Sequence, residues 1–168
     1  MTEAPCADGN PALTDQQTGL PNRLHFDTVL KAFFATGRRG LPLSLILLGI
    51  DGAAAWLRKT DVTELERTLR GIGALLVPMV RDSDILARFD EGRFALCLIG
   101  CNLAGAALVA DRIDGLLDTV RSTSKLGFSI GGATLDSDMG SFQDLTGAAE
   151  EALRVAQGRG SDQIEFRR

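Results

Sequence analysis

At 168 residues the chain is long enough for one domain with a sizeable core and short for two. Hydrophobic residues make up 45% of it, charged residues 24%, and the formal net charge is −4, so no basic stripe recruits a polyanion and any anionic ligand must be held by a few local cations. No apolar run approaches the roughly 20 residues of a membrane span, and MTEAPCADGNPAL lacks the basic and apolar regions of a signal peptide, so a cytoplasmic location is expected.

Residues 1–14 carry Pro5, Gly9, Asn10 and Pro11 without periodicity and read as a loose leader to a single domain over 15–168. Asn22 caps a helix through about Thr36, with Leu24, Val29, Leu30, Phe33 and Phe34 on its apolar side. Leu41 to Ile50 is a nearly continuous apolar run, the pattern of a central strand covered on both faces. Leu65, Leu69, Ile72, Leu76 and Met79 recur at steps of four and three, predicting a helix over Asp61 to Met79. Ile85 to Phe89 and Phe94 to Ile99 form the arms of a hairpin whose tip is Asp90-Glu91-Gly92-Arg93. Helical spacing returns over Leu103 to about Arg121 and over Phe142 to Ala156. Strands are expected at Leu126 to Ala133 and at Gln163 to Phe166.

The sum is an α/β sandwich, a mixed sheet of about five strands with one antiparallel hairpin, surrounded by helices. Cys6, Cys97 and Cys101 do not make a zinc set; Cys97 reads as a small buried hydrophobe and the other two as incidental. His25, the single histidine, has no serine nucleophile motif to serve and reads as structural.

In order along the chain, DQQTGLPNRLHF, LILLGID, ARFDEGRF, FSIGGA and AAEEALRVAQGRGSDQI resemble the motifs of GGDEF domains, the bacterial diguanylate cyclases that join two GTP molecules into cyclic di-GMP. The resemblance runs from Asp15 to Phe166 and implies the nucleotidyl-cyclase type of sandwich. It departs from the family where chemistry is done. Phosphoryl transfer of this kind needs carboxylates that hold Mg²⁺ against a triphosphate. By the resemblance those positions are Gly49 and Gly92, which have no side chain. The guanine-reading Asn falls on Leu57. Glu66 keeps the second guanine-contacting carboxylate. The phosphate-holding Lys and Arg fall on Gln157 and Ser161. The two leading glycines of the signature are Asp90 and Glu91, whose charge repels a triphosphate, and Arg93 follows Gly92. The hairpin tip then reads as the remains of an active site, and neither catalysis nor Mg²⁺ is expected. A slip of one residue in the hairpin would turn Asp90 or Glu91 to the other face rather than replace the lost ligand.

Upstream of the tip, Arg81-Asp82-Ser83-Asp84 falls at the spacing of the family's R-x-x-D inhibitory site for cyclic di-GMP, and Arg112 falls where some members place an additional Arg. A guanidinium can donate two parallel hydrogen bonds to guanine or phosphate, and a carboxylate accepts from guanine's other edge. The same four residues also fit a solvated turn in which Asp84 caps a backbone N–H or pairs with Arg81. The resemblance therefore implies an inactive GGDEF-like receptor for cyclic di-GMP, monomeric at rest. It would act through a protein partner, because the leader carries no sign of a sensor domain. The alternative is a nucleotide-independent protein interaction module, for which Glu91 and Arg93 are the residues to scan. A weak cyclase is the third possibility, opposed by Gly49, Gly92, Leu57, Gln157 and Ser161. No nucleic acid and no membrane insertion are expected.

Overall fold

Leu43–Ile50 forms β1, and all eight of its residues are buried. Side chains alternate across a strand, so Leu43, Leu45 and Leu47 enter one core while Ile46, Leu48 and Ile50 enter the other. A continuous apolar run is what such a doubly covered strand requires. This computed structural model describes residues 10–167, and the first nine residues of the expected leader lie outside them.

Around β1 the sheet is ordered β2-β3-β1-β4-β5, with β2 Ile85–Asp90, β3 Arg93–Ile99, β4 Phe128–Thr134 and β5 Ile164–Arg167. β1 pairs antiparallel with β3 and β4, and β5 runs parallel to β4. On one face lie α1 Arg23–Gly37 and α6 Phe142–Gly158, which contribute Phe26, Leu30, Phe34, Leu145 and Leu153. On the other lie α3 Val62–Leu76 and α4 Leu103–Leu116, contributing Leu69, Ile72, Leu76, Ala110 and Ile113. Each such leucine or isoleucine, fully buried, contributes about 1.5–3 kcal/mol. α6 presses closely on β4: a Cβ at Gly131 would meet the backbone N of Leu153 at 2.2 Å, so only glycine fits there. The expected fold class is the observed one.

Several local expectations change. Pro11–Leu13 is a 3-10 turn capped by Asn10, and Thr14 bridges Pro21, so residues 10–14 pack onto the start of the domain. Leu24 is 59% exposed, and α1 buries Phe26 in its place. A short helix not anticipated, α2 Ala53–Lys59, follows β1. The helix expected to reach Met79 stops at Leu76, and Pro78 sits in a 3-10 turn. The helix expected through Arg121 breaks at Leu117 into α4 and α5 Asp118–Ser124; Arg121 Nη1 donates to the Asp114 carbonyl at the break. No described helix is long and apolar enough to cross a membrane.

Candidate functional site

Two clefts gather the residues singled out by the sequence. The larger, about 940 Å³, opens beside the end of β1 and is lined by Asp51, α2 with Leu57 and Arg58, the hairpin tip Asp90 to Arg93, and Gln157 and Ser161 from the C-terminal segment. Its size is within the range of small-molecule sites. Gly49 lies behind this wall. A Cβ there would meet Gln157 Nε2 at 2.9 Å and Leu153 Cδ2 at 3.1 Å. At Gly92 a Cβ would meet the Ala53 Cβ at 2.6 Å, so α2 occupies the space a side chain would need. Glu66 lies on the exposed side of α3, paired with Arg70 at 2.9 Å, and does not line the cleft.

The carboxylate that remains at the end of β1 is engaged through one of its two oxygens. Asp51 Oδ2 accepts from Ser129 Oγ at 3.1 Å, Ser161 Oγ at 2.9 Å and the Asp162 N–H at 3.1 Å, while Oδ1 is buried with no hydrogen-bond partner among the described residues. Asp51 thus ties the loop after α6 to the sheet. Asp162 continues the tie: its Oδ1 accepts from Phe128 N at 2.9 Å and Arg121 Nε at 2.7 Å. Partial burial pushes the Asp162 carboxyl up, but those bonds outweigh it and hold it below the usual carboxylate range. Among the described residues no three His, Cys, Asp or Glu side chains converge as a metal-binding group.

The hairpin tip is organised by its own charges. Phe89 is an extra residue between the pairs Arg88 with Phe94 and Asp90 with Arg93, a bulge that sets Asp90 opposite Arg93. Asp90 Oδ1 accepts from Gly92 N at 3.1 Å and Oδ2 from Arg93 Nε at 2.7 Å. Arg93 also reaches Glu150 at 3.1 Å, while Glu91 is exposed. Beneath the tip, Arg88 is 5% exposed and its guanidinium donates to the Asp90 and Glu91 carbonyls, with Asp15 3.8 Å away. Burial pulls the Arg88 pKa down despite these acidic neighbours. Sequence reasoning missed Arg88, Ala53 and Arg58, while Asp51, which ends LILLGID, was visible to it only as a neighbour of the hairpin carboxylates.

The smaller cleft, about 160 Å³, brings Arg81, Asp84 and Arg112 together from the loop after α3, the start of β2 and α4. Pro78, Met79, Leu98, Ile99 and Val109 supply its apolar wall, and Cys101, read from sequence as incidental, lines it too. Desolvation raises the Cys101 thiol, with Asp84 raising it further and Arg81 opposing. Cys97 is buried, and its thiol is pushed up to about 12. Asp84 Oδ2 accepts from the Arg81 backbone N–H and Oδ1 from the Ile99 N–H, each at 3.0 Å. Asp84 therefore caps the turn and positions the Arg81 backbone. Neither Arg81 nor Arg112 makes an ion pair among the described residues.

Residues 12–163 match the family model for the diguanylate cyclase GGDEF domain. Diguanylate cyclase DosC of Escherichia coli K12 is 26% identical over 162 residues, covering 90% of this chain and 34% of that protein, so the chain spans about a third of this relative's length. Among solved structures, the GGDEF domain of DgcB from Caulobacter crescentus in complex with c-di-GMP superposes with a TM-score of 0.83 at 20% identity, covering 94% of this chain and 96% of that one. Diguanylate cyclase SiaD of Pseudomonas aeruginosa, solved with its activator SiaC, gives 0.82 at 23% identity, with coverages of 93% and 62%.

Proposed function

The chain belongs to the diguanylate cyclase GGDEF family, and from that premise we propose that it is an inactive member that binds cyclic di-GMP at Arg81, Asp84 and Arg112 and passes the signal to a protein partner. The observation that carries this reading is the convergence of those three side chains, from separate elements, on one cleft with two unpaired guanidiniums. In a protein of net charge −4, two cations around one carboxylate make a local site for an anion that also offers guanine edges.

Inactivity rests on the larger cleft. Mg²⁺ would position and neutralise a triphosphate for attack by a 3′-hydroxyl, but the residues present do not fit it. Gly49 and Gly92 offer no oxygen, Ala53 fills the space a Gly92 side chain would need, and Asp51, with Oδ2 occupied by three donors, has only Oδ1 left to offer. Leu57, Gln157 and Ser161 give neither a base-reading amide nor a phosphate-holding cation at their family positions. Acidic Glu91 at the mouth repels a triphosphate further.

The nucleotide-independent docking module is the second reading. It is favoured by the two backbone N–H groups that Asp84 already accepts, which account for its place in the turn without any ligand.

Calorimetric titration of cyclic di-GMP, and separately of GTP with Mg²⁺, into the wild type and Arg81→Ala tests both. The variant keeps the backbone N–H that Asp84 accepts, so the turn survives while the guanidinium is lost. Cyclic di-GMP binding that Arg81→Ala weakens at least tenfold, with no heat from GTP, supports the receptor. No binding of either nucleotide overturns it and leaves the docking module. GTP turnover overturns the assignment of inactivity.

A further inference from the structure

The two edges of the sheet are finished differently. At the β2 edge the Pro21 carbonyl accepts from the Arg88 N–H, and the bulge at Phe89 bends the strand. At the other edge β5 keeps an unbroken parallel register with β4, from Ile130 against Ile164 to Ala133 against Arg167. Ile130 N donates to the Gln163 carbonyl at 2.8 Å, and this fixes the alternation along β5. Glu165 and Arg167 turn their backbone groups towards β4, and Ile164 and Phe166 turn theirs outward. No loop backbone among the described residues bonds those outward groups. With neither proline nor bulge, β5 lacks the devices that blunt an edge strand.

An open edge of this kind takes another strand, and the side chains decide which. Glu165 and Arg167 stand two residues apart and share one face of β5, while Ile164 and Phe166 are half-buried on the other. Arg167 is exposed and makes no ion pair among the described residues. Glu165 gives Oε2 to Arg159 and keeps Oε1 without a partner among them.

These residues make the edge complementary to itself. Two copies of β5 can run antiparallel about a two-fold axis perpendicular to the sheet, passing between Phe166 of one and Phe166 of the other. The outward groups of both Phe166 residues then exchange N–H to C=O bonds. Glu165 of each copy lies opposite Arg167 of the other, on the same face, in the non-hydrogen-bonded pairs where opposed side chains come closest. The neighbouring registers that also bring outward groups together slide one strand by two residues. They set Glu165 against Glu165 or Arg167 against Arg167, and opposed like charges are destabilising. We propose that the free edge of β5 pairs with β5 of a second copy of this chain in the Phe166-centred register, joining the two five-stranded sheets into one.

β5 is four residues long, and a contact of that length covers less than the roughly 1,200 Å² of a stable interface, so the dimer is weak and forms with concentration. Each copy carries net charge −4, which opposes association and is screened at physiological salt. The backbone bonds and the further burial of Phe166 supply the attraction, and the crossed charges select the register. This departs from the monomeric resting form expected from sequence. β5 lines neither cleft, so the pairing does not rest on the receptor reading.

Sedimentation equilibrium of the nucleotide-free chain, from about 10 µM to about 1 mM at physiological salt, tests the pairing. The wild type is expected to shift from monomer to dimer. Glu165→Arg alone and Arg167→Glu alone each set like charges across the axis, and each is expected to lower the association constant about tenfold or more. An equal mixture of the two variants places opposite charges at both pairs and is expected to associate again, which a fault in folding would not allow. Amide exchange locates the contact: the Phe166 N–H is expected to slow severalfold as the wild-type concentration rises. A wild type that stays monomeric over the whole range overturns the proposal and leaves the edge to a strand of a different protein. A dimer indifferent to Arg167→Glu, a mixture that fails to associate, or Phe166 exchange independent of concentration overturns it as well.

Discussion

The Asp90 carboxylate lies 2.6 Å from the Arg93 guanidinium, directly across the hairpin tip. Both side chains remain partly open to solvent, so screening keeps their pairing weak even with good geometry. A double-mutant cycle on Asp90→Ala and Arg93→Ala is expected to give a coupling of about 0.5 kcal/mol in urea denaturation. Asp90→Ala alone should cost somewhat more than this, because it also releases the Gly92 N–H. A coupling above about 2 kcal/mol would mean that the tip is far less solvated than its exposure implies.

Arg88 differs from Arg93 in being enclosed. Replacing it with Met keeps much of the volume but leaves the Asp90 and Glu91 carbonyls without their donor and Asp15 without its cation. A loss of about 2–4 kcal/mol is expected, read as a lower urea midpoint at unchanged slope. An effect under 0.5 kcal/mol would show that the tip carbonyls find water instead.

Restoring the two carboxylates should not restore chemistry. Gly92→Glu pushes into the fixed Ala53 Cβ, while Gly49→Asp meets the movable ends of Leu153 and Gln157. Overpacking of this kind costs about 1–3 kcal/mol, and the double variant is expected to make no cyclic di-GMP from GTP and Mg²⁺. Adding Ala53→Gly should recover part of the stability lost at Gly92 by removing the methyl group in its way. Product formation by the Gly49→Asp, Gly92→Glu pair alone would overturn the view that α2 has closed the space at Gly92.

The loop after α6 should respond to acid. Hydrogen bonds and Arg121 hold the Asp162 carboxyl below its ordinary value. A depressed carboxylate contributes stability above its unfolded pKa and loses it as pH falls through the folded one. Amide exchange of Phe128, corrected for the intrinsic rate, is therefore expected to accelerate below the ordinary carboxylate range. Asp162→Asn should abolish that dependence. An unchanged profile in the variant would assign the effect to another carboxylate.

What could be read from the sequence was what short range determines. β1 announced itself because a strand between two helical layers needs apolar side chains on both faces, and the steps of four and three in α3 put Leu65, Leu69, Ile72 and Leu76 on one side. Arg81 and Asp84 could be paired because they share one turn, three residues apart. The helix α2 was not legible, since Ala53 to Lys59 is too short for periodicity to emerge. At the break at Leu117 Arg121 reaches back to the Asp114 carbonyl, a contact across seven residues that apolar spacing does not reveal.

By itself, then, the sequence determined the order of the strands and longer helices, the two-sided core and several of the residues that line each cleft, because periodicity and motif spacing are local properties of the chain. Only the tertiary structure decided what those residues have become. Asp51 is committed to Ser161, 110 positions away. The movable ends of Leu153 and Gln157 lie over Gly49, and Gly92 is shut in by α2. These depend on which strands lie side by side and how far a helix sits above them, and packing sets those distances between residues that the chain itself holds far apart.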